Sequence, residues 1–186
     1  SSMNVRVLGP FGCFPMDLKK HISDFSHVLL FSGGIGITPV LSVGQELLEM
    51  PDSLPKGLVV EFTFVSRGPD LFSVFSSEIS ELKSVGTVSK YITRTSRVES
   101  EQKKNQIIPH QQNEMDLTNI HGPDSVEDHE AVQHEKPNFT SILSRHCNAS
   151  NEGRFLIVSC GPLSLQESLK KSIRSCRSTF PRCEFT

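Results

Sequence analysis

The part of the sequence best suited to chemistry is a run of glycines that ends in Thr-Pro. Residues 31–39 read FSGGIGITP. Glycine lets a backbone approach a ligand closely and adopt a positive φ, and a following helix would aim its unpaired N–H groups and positive dipole end at the same point. The run therefore predicts an anion site that suits a dinucleotide pyrophosphate. The candidate contacts are Gly33, Gly34, Ile35, Gly36, Thr38 and Pro39.

This run differs from the usual G-x-G-x-x-G fingerprint, because Pro39 stands in the third glycine position. Thr38 is a favoured type of N-cap residue, and Pro39 suits a first helical position. We therefore expect the helix to begin at this Thr-Pro pair. The alternative is a glycine-rich turn whose only duty is packing.

A second candidate site follows Val65, at the end of the next predicted strand. Ser66 and Arg67 could hold a ribose phosphate through charge-assisted hydrogen bonds. Folds specific for NAD usually place an acid at the ribose 2′-OH, whereas a nearby arginine accommodates a 2′-phosphate. The nearest acid, Asp70, is predicted to start the next helix, so the pair favours NADPH over NADH. The alternative is a solvated arginine at a strand end.

The third candidate is Cys160-Gly161-Pro162, which ends another apolar run. A thiol at the end of a buried strand, followed by glycine, could face a flat ring and serve as the catalytic contact. The alternative is a buried structural cysteine, the commoner fate of this residue. His110, His121, His129 and His134 match no standard ligand spacing, so we expect no metal site in the chain.

Composition narrows the classes of function. The net charge of -2 gives no basic face for nucleic acid. No apolar run is long enough to cross a bilayer, and no signal peptide is evident. The five cysteines form no C-x-x-C pair, which favours a reducing compartment. Hydrophobic residues make up only 36% of the chain because one segment, at about 96–136, is almost entirely polar and is expected to be a disordered insertion.

The elements that must position these residues alternate between strand and helix. Predicted strands cover 28–31, 58–65, 88–93 and 155–158, and 184–186 looks like a final strand. Helical periodicity covers 38–50, 71–82 and 163–177, with a short helix near 139–143. This order predicts an α/β fold, a Rossmann-like parallel sheet of about five strands with helices on both faces.

Taken in order, the three sites resemble the ferredoxin–NADP reductase superfamily, and within it the ferric reductase and NADPH oxidase branch. Residues 32–39 resemble the nucleotide loop, 65–67 the strand end at the 2′-phosphate, and 159–162 the motif that sets the nicotinamide against the flavin. Residues 8–12 look like the segment that leaves a flavin barrel, and 136–139 resembles a short element before the fourth strand. The resemblance implies that 1–16 is a cloning remnant plus the end of a flavin-binding domain, and that 17–186 is the NAD(P)H-binding domain.

The resemblance further implies that hydride passes from NADPH to FAD and that electrons then leave through haem to ferric iron. FAD and haem would be held by a preceding flavin domain and a membrane domain, with this domain on the cytosolic face. Three alternatives stay open: an NADPH oxidase that makes superoxide, a soluble reductase of the cytochrome b5 type, and a non-catalytic regulatory module. The resemblance places Cys160 at the nicotinamide.

Overall fold

A parallel sheet forms the centre of the computed structural model, which describes residues 17–93, 132–150 and 153–186. Within these ranges the sheet has five strands in the order β3-β2-β1-β4-β5, all parallel. The strands are β1 (His27–Gly33), β2 (Val59–Ser66), β3 (Thr87–Ile92), β4 (Gly153–Cys160) and β5 (Cys183–Phe185). The predicted number of strands and their parallel arrangement are confirmed.

Helices cover both faces of this sheet. They are α1 (Leu18–His21), α2 (Ile37–Leu48), α3 (Asp70–Val74), α4 (Ser76–Leu82), α5 (Phe139–Ser150) and α6 (Leu163–Thr179). Helices α1 to α4 share one hydrophobic core with one side of the sheet. Helices α5 and α6 share a second core with the other side. The fold is therefore a three-layer α/β/α sandwich of the Rossmann type, as the alternation of elements predicted.

Strand β1 lies at the middle of the sandwich, and all seven of its residues are buried. Val28 and Leu30 point to the α2 side, whereas Leu29 and Phe31 point to the α5–α6 side. A strand covered on both faces needs apolar side chains at consecutive positions. This need explains why β1 appears in the sequence as an unbroken apolar run.

The predicted helix over 71–82 is divided in two. Its backbone leaves helical geometry at Phe75, where φ is -106° and ψ is 26°, so α3 ends there and α4 begins at the next residue. Helix α4 can then pack close to α2, because Gly44 carries no side chain where its Cβ would meet Leu82. Ile79 and Leu82 are both fully buried as a result.

The end of the predicted insertion lies against the sheet. Gln133 pairs with Tyr91 of β3, its carbonyl accepts the Ile92 amide at 2.8 Å, and its own amide donates to the Lys90 carbonyl at 2.9 Å. Val132 packs against the α1–α4 core. Residues 96–131 of the predicted insertion, like the predicted flavin-domain remnant at 1–16, lie outside the described residues. Within the described end of the insertion, Gln133 therefore pairs with the edge strand β3.

A buried cluster of charged and polar groups joins β1, β2 and α5. The Glu61 carboxylate accepts hydrogen bonds from Arg145 Nη2 and pairs with His146 Nε2, each at 2.6 Å. Only 4% of the Glu61 side chain is exposed. Burial alone would raise the pKa of Glu61, but the hydrogen bonds from His146 and Arg145 outweigh it and hold that pKa below its usual value. His27 lies at the border of this cluster, with its ring 5.4 Å from that of His146 and stacked on Phe155 at 4.3 Å.

His27 predicts a loss of stability in mild acid. Burial and, secondarily, the neighbouring His146 lower the pKa of His27 from 6.5 to about 4. As pH falls below 6.5 the unfolded chain takes up a proton that the folded state excludes until about pH 4, so the free energy of unfolding decreases across this window. One proton gives a slope of at most about 1.4 kcal/mol per pH unit. Urea denaturation at several pH values should show a shallower slope for His27→Phe, which keeps the stack on Phe155 and cannot be protonated. An identical slope in both proteins would assign the pH dependence to another group.

Candidate nucleotide-binding site

The strand order reverses between β1 and β4, and this is where the sequence-predicted residues meet. From β1 the chain moves outward through β2 to β3, then returns to β4 on the other side of β1 and moves outward to β5. Ser32 of β1 lies opposite Cys160 of β4 in the register. The loops after these two strands therefore leave the sheet side by side and in different directions. Open α/β sheets bind ligands in this kind of crevice, at the carboxyl ends of the strands.

The glycines of the loop after β1 have different structural roles. Gly34 has φ of +57°, and a Cβ there would meet nothing within 4 Å. A Cβ on Gly36 would collide with the Cys160 carbonyl, and one on Gly33 would lie 2.8 Å from Pro162 and from Leu165. Gly33 and Gly36 thus let two loops touch backbone to backbone. Gly34 keeps the outer surface of the turn open to a ligand.

The helix after this loop begins earlier than predicted. A single 3₁₀ turn, Gly34–Gly36, leads directly into α2 at Ile37. Gly36 is the N-cap, so the predicted N-cap at Thr38 and the predicted first position at Pro39 are wrong. The reason is that the Ile37 amide already bonds the carbonyls of the 3₁₀ turn, which brings the chain into helical geometry before Thr38. The Thr38 hydroxyl instead donates to the Ile35 carbonyl at 3.2 Å.

Two helices begin at the crevice, α2 after β1 and α6 after β4. In neither does a side chain cap the N-terminus by a hydrogen bond. The positive ends of the two helix dipoles therefore lie beside the same loops, which is the arrangement that favours a bound anion. Ile35 and Leu163 project at this edge with 77% and 68% of their surface exposed.

The loop after β4 is held against the glycine loop. A Cβ on Gly161 would lie 2.9 Å from the Gly33 amide nitrogen, so the two backbones pass in van der Waals contact. Gln166 of α6 donates to the Gly161 carbonyl at 3.0 Å. Cys160 is a half-buried free thiol that packs against the core on the α2 side. Pro162 precedes α6 and is exposed.

Ser32 is a polar residue of this region that the sequence analysis did not single out. It is 1% exposed, and within the described part of the chain its hydroxyl has no hydrogen-bond partner. It lies one strand across from Cys160 and directly before the glycines. The signal in the sequence is a serine inside an apolar strand, at the position where that strand ends in glycine.

The Ser66–Arg67 pair lies one strand away from the glycine loop. Val65 is opposite Gly33 in the register, so Ser66, the last residue of β2, and Arg67, which follows it, lie at the same end of the sheet as the glycine loop. The Ser66 hydroxyl is buried and accepts a hydrogen bond from the Gly68 amide at 3.4 Å. This hydroxyl is therefore engaged within the loop that follows β2. Arg67 is exposed to solvent. Of the two side chains, only the guanidinium extends from the surface where a ribose phosphate could reach it.

The four histidines of the polar segment were not expected to bind a metal. His110, His121 and His129 fall outside the described residues, and His134 is exposed beside β3. Among the residues that the structure describes, no group of three His, Cys, Asp or Glu side chains could hold a metal ion. No described helix is long and apolar enough to cross a membrane.

The chain is similar in sequence and in fold to known proteins. The chain is 26% identical over 176 residues to "Ferric reductase transmembrane component 6" of Saccharomyces cerevisiae, covering 92% of the chain and 22% of the yeast protein. Its fold matches the CS-b5R domains of human Ncb5or in the NAD+ form, with a TM-score of 0.52, 15% identity, and coverage of 95% of this chain and 40% of that one. A ferredoxin NADP+ reductase from Neisseria gonorrhoeae with bound FAD and NADP aligns at a TM-score of 0.47 and 13% identity, over 90% of this chain and 58% of that one.

The family assignment rests on a match to a family model. Residues 25–174 match the model of the ferric reductase NAD binding domain. This range begins just before β1, ends within α6, and includes both loops of the crevice. Together with the parallel sheet and its strand order, it shows that the chain belongs to the ferric reductase NAD-binding domain family.

Proposed function

We propose that this chain is the NADPH-binding domain of a membrane flavocytochrome that reduces ferric iron. NADPH would bind at the reversal of strand order, across the loops that follow β1 and β4. FAD would be bound mainly by a preceding domain of the same protein and haem by its membrane domain, with this domain on the cytosolic face. The chain spans 22% of the yeast relative, so the activity of the whole protein is part of the proposal.

The observation that carries the proposal is the contact between the two loops. The Gly36 Cα approaches the Cys160 carbonyl so closely that no side chain fits between them. The same contact brings the uncapped starts of α2 and α6 to a single crevice. A dinucleotide needs an anion site for its pyrophosphate with a ring site beside it, and the two loops can supply one each.

The residues present fit NADPH. Gly34 leaves free space where a side chain would otherwise stand, so the backbone of Gly34, Ile35 and Gly36 can approach a phosphate. The buried hydroxyl of Ser32 has an unused hydrogen-bonding capacity at the base of the same loop. Arg67 is exposed at the neighbouring strand end and carries the positive charge that a 2′-phosphate requires.

Each part of the site has a separate task in this proposal. When bound, NADPH supplies the hydride that a flavin accepts. The glycine loop and the start of α2, including Thr38 and Pro39, hold the pyrophosphate, and Arg67 recognises the 2′-phosphate. Cys160, Gly161 and Pro162 border the nicotinamide, where a polarizable thiol can pack against a ring. Ser66 supports the turn that carries Arg67, since its hydroxyl accepts the Gly68 amide.

Replacing Arg67 should weaken NADPH and leave NADH nearly unaffected. A hydrogen bond to a charged group contributes roughly 1.5–3 kcal/mol, so Arg67→Ala should raise the Kd of NADPH on the order of tenfold to a hundredfold. NADH lacks the phosphate that the guanidinium would contact. The effect should shrink as salt increases, because an exposed contact is screened. Calorimetric titration of both nucleotides at low salt provides the test, and the quantity to compare is the ratio of the two affinities.

Arg182→Ala is the matched control, because Arg182 is also exposed and precedes β5 at the opposite edge of the sheet. It should change neither affinity. Equal losses of NADPH and NADH in Arg67→Ala would mean that Arg67 supports the fold. No loss of either would make it a solvated arginine. Failure of the parent protein to bind either nucleotide would favour a non-catalytic module.

A further inference from the structure

Charge is divided between the two helical layers. Helices α2, α3 and α4 carry four acids, Glu46, Asp70, Glu78 and Glu81, and no lysine or arginine. Helices α5 and α6 carry five lysine or arginine residues and a single acid, Glu167. The net charge of the whole chain is only -2. Helix α1, in the same layer as α2 to α4, adds Lys19 and Lys20, so acids still outnumber lysine and arginine in that layer, whereas cations predominate on α5 and α6.

The positive charges lie on the solvent side of α5 and α6. We use the term cationic face for Lys170, Lys171, Arg174 and Arg177 of α6, all of which are exposed. Arg145 of α5 is also exposed, but its guanidinium is paired with Glu61 and is not counted. On α6 the buried residues include Leu165, Leu169 and Cys176, which pack against the sheet. Positions three and four apart share one side of a helix, so Lys170, Arg174 and Arg177 form a row that points away from the core.

Exposed apolar side chains are absent from the cationic face. Among the described residues the exposed large hydrophobics are Ile35, Val59, Val74 and Leu163. None belongs to α5, and Leu163 is at the opposite end of α6 from the cations. Protein interfaces depend on a central apolar or aromatic cluster. A face with cations and no such cluster suits a planar anionic surface better than a protein partner.

We propose that the cationic face docks against the anionic headgroups of a lipid bilayer. Clusters of four to eight lysine and arginine residues on a helix are typical of binding to acidic lipids. The cations lie in the second half of α6, toward the end of the sheet opposite the nucleotide crevice. Docking there leaves the glycine loop and Cys160 accessible. The inference rests on the proposed function only for the identity of the membrane, namely the one to which the whole protein would be anchored.

Vesicle sedimentation tests this docking without any nucleotide. The chain is mixed with vesicles of phosphatidylcholine, or of phosphatidylcholine with phosphatidylserine, at low and high salt. We expect binding to the phosphatidylserine vesicles only, and its loss at high salt. The variant Lys170→Gln/Lys171→Gln/Arg174→Gln should bind on the order of a hundredfold more weakly, at about fivefold for each cation.

The control variant is Lys19→Gln/Lys20→Gln/Lys56→Gln, which removes the same charge from exposed positions away from α5 and α6. It should retain vesicle binding. Equal loss in both variants would mean that only net charge matters, and binding to neither type of vesicle would overturn the proposal. Stronger binding to soluble polyglutamate than to vesicles would point to an acidic protein instead. Both variants should keep the parent affinity for NADPH, so failure of lipid docking is distinguishable from failure of the nucleotide proposal.

Discussion

Gly36→Ala should abolish most of the affinity for NADPH and also destabilise the fold. The added methyl group would collide with the Cys160 carbonyl, and it would lie 2.6 Å from the carbonyl carbon and 2.9 Å from the Gly161 nitrogen. All three atoms belong to backbone, which cannot rotate away as a side chain can. The loops after β1 and β4 must therefore separate. Overpacking of this kind typically costs about 1–3 kcal/mol of stability.

The effect on binding should be comparable in free energy to the effect on stability. A shift of about 1 Å in a positioned site can cost on the order of a hundredfold, and the separation would move both halves of the crevice. We expect the Kd of NADPH and that of NADH to rise together, since the pyrophosphate is common to both. Calorimetric titration and urea denaturation of the same preparation measure the two effects.

Gly68→Ala is the matched control at the same edge of the sheet. A Cβ at Gly68 would meet nothing within 4 Å, so the substitution should change stability by no more than about 0.5 kcal/mol. Its nucleotide affinity should equal that of the parent. If Gly36→Ala bound NADPH as well as Gly68→Ala does, the contact between the loops would have no part in the binding site.

His146→Leu should cause a large loss of stability, because it removes a partner from the buried Glu61 carboxylate. Breaking a buried pair from one side typically costs about 3–5 kcal/mol, and the lower value is expected here because Arg145 still donates to Glu61 at 2.6 Å. Glu61→Leu should cost less, since Arg145 is 62% exposed and can return to water, and only the His146 ring, 11% exposed, is left buried without this partner. The double variant Glu61→Leu/His146→Leu should be more stable than His146→Leu alone.

The pH dependence of this network follows from the lowered pKa of Glu61. The stability it contributes is fully present above the ordinary value of 4.5 and is lost as pH falls through the lower pKa of the folded state. In His146→Leu that contribution is reduced, so the free energies of unfolding of the parent and the variant should converge in acid. Guanidinium denaturation near neutral pH and in acid, applied to the two single variants and the double variant, completes the cycle. A double variant less stable than either single variant would contradict the assignment of Glu61 as a buried charge that needs its partner.

The local elements of the fold were predictable because their determinants are local. An apolar run that precedes glycine, such as 28–31, can bury all of its side chains only when both faces of the strand are covered. The same logic identified β4, and β-branched and aromatic residues identified β2. The alternation of strand and helix then predicted a parallel sheet. The glycine loop and the Cys160–Pro162 loop were recognised for the same reason, since each directly follows such a strand.

The start of α2 and the edge of the sheet were not predictable in this way. Propensity favoured Thr38 as the cap, but the 3₁₀ turn at Gly34–Gly36 bonds the Ile37 amide first. Polar composition extended the predicted insertion to 136, but Gln133 pairs with β3. In both places a backbone hydrogen bond decided the structure. Such a bond depends mainly on the position of the backbone and only slightly on the conformational propensity of the side chain.

By itself, the sequence determined which strands are buried on both sides, which loops carry glycine and that a parallel α/β sandwich would form, because these follow from hydrophobic pattern and backbone freedom over a few residues. Only the tertiary structure decided which distant residues meet. Glu61 and His146 are far apart in the chain and became partners because β2 and α5 pack together. Gly36 needs to be glycine because β4 returns beside β1, bringing the Cys160 carbonyl against it. Contacts of this kind depend on the strand order of the whole sheet, which no short stretch of sequence contains.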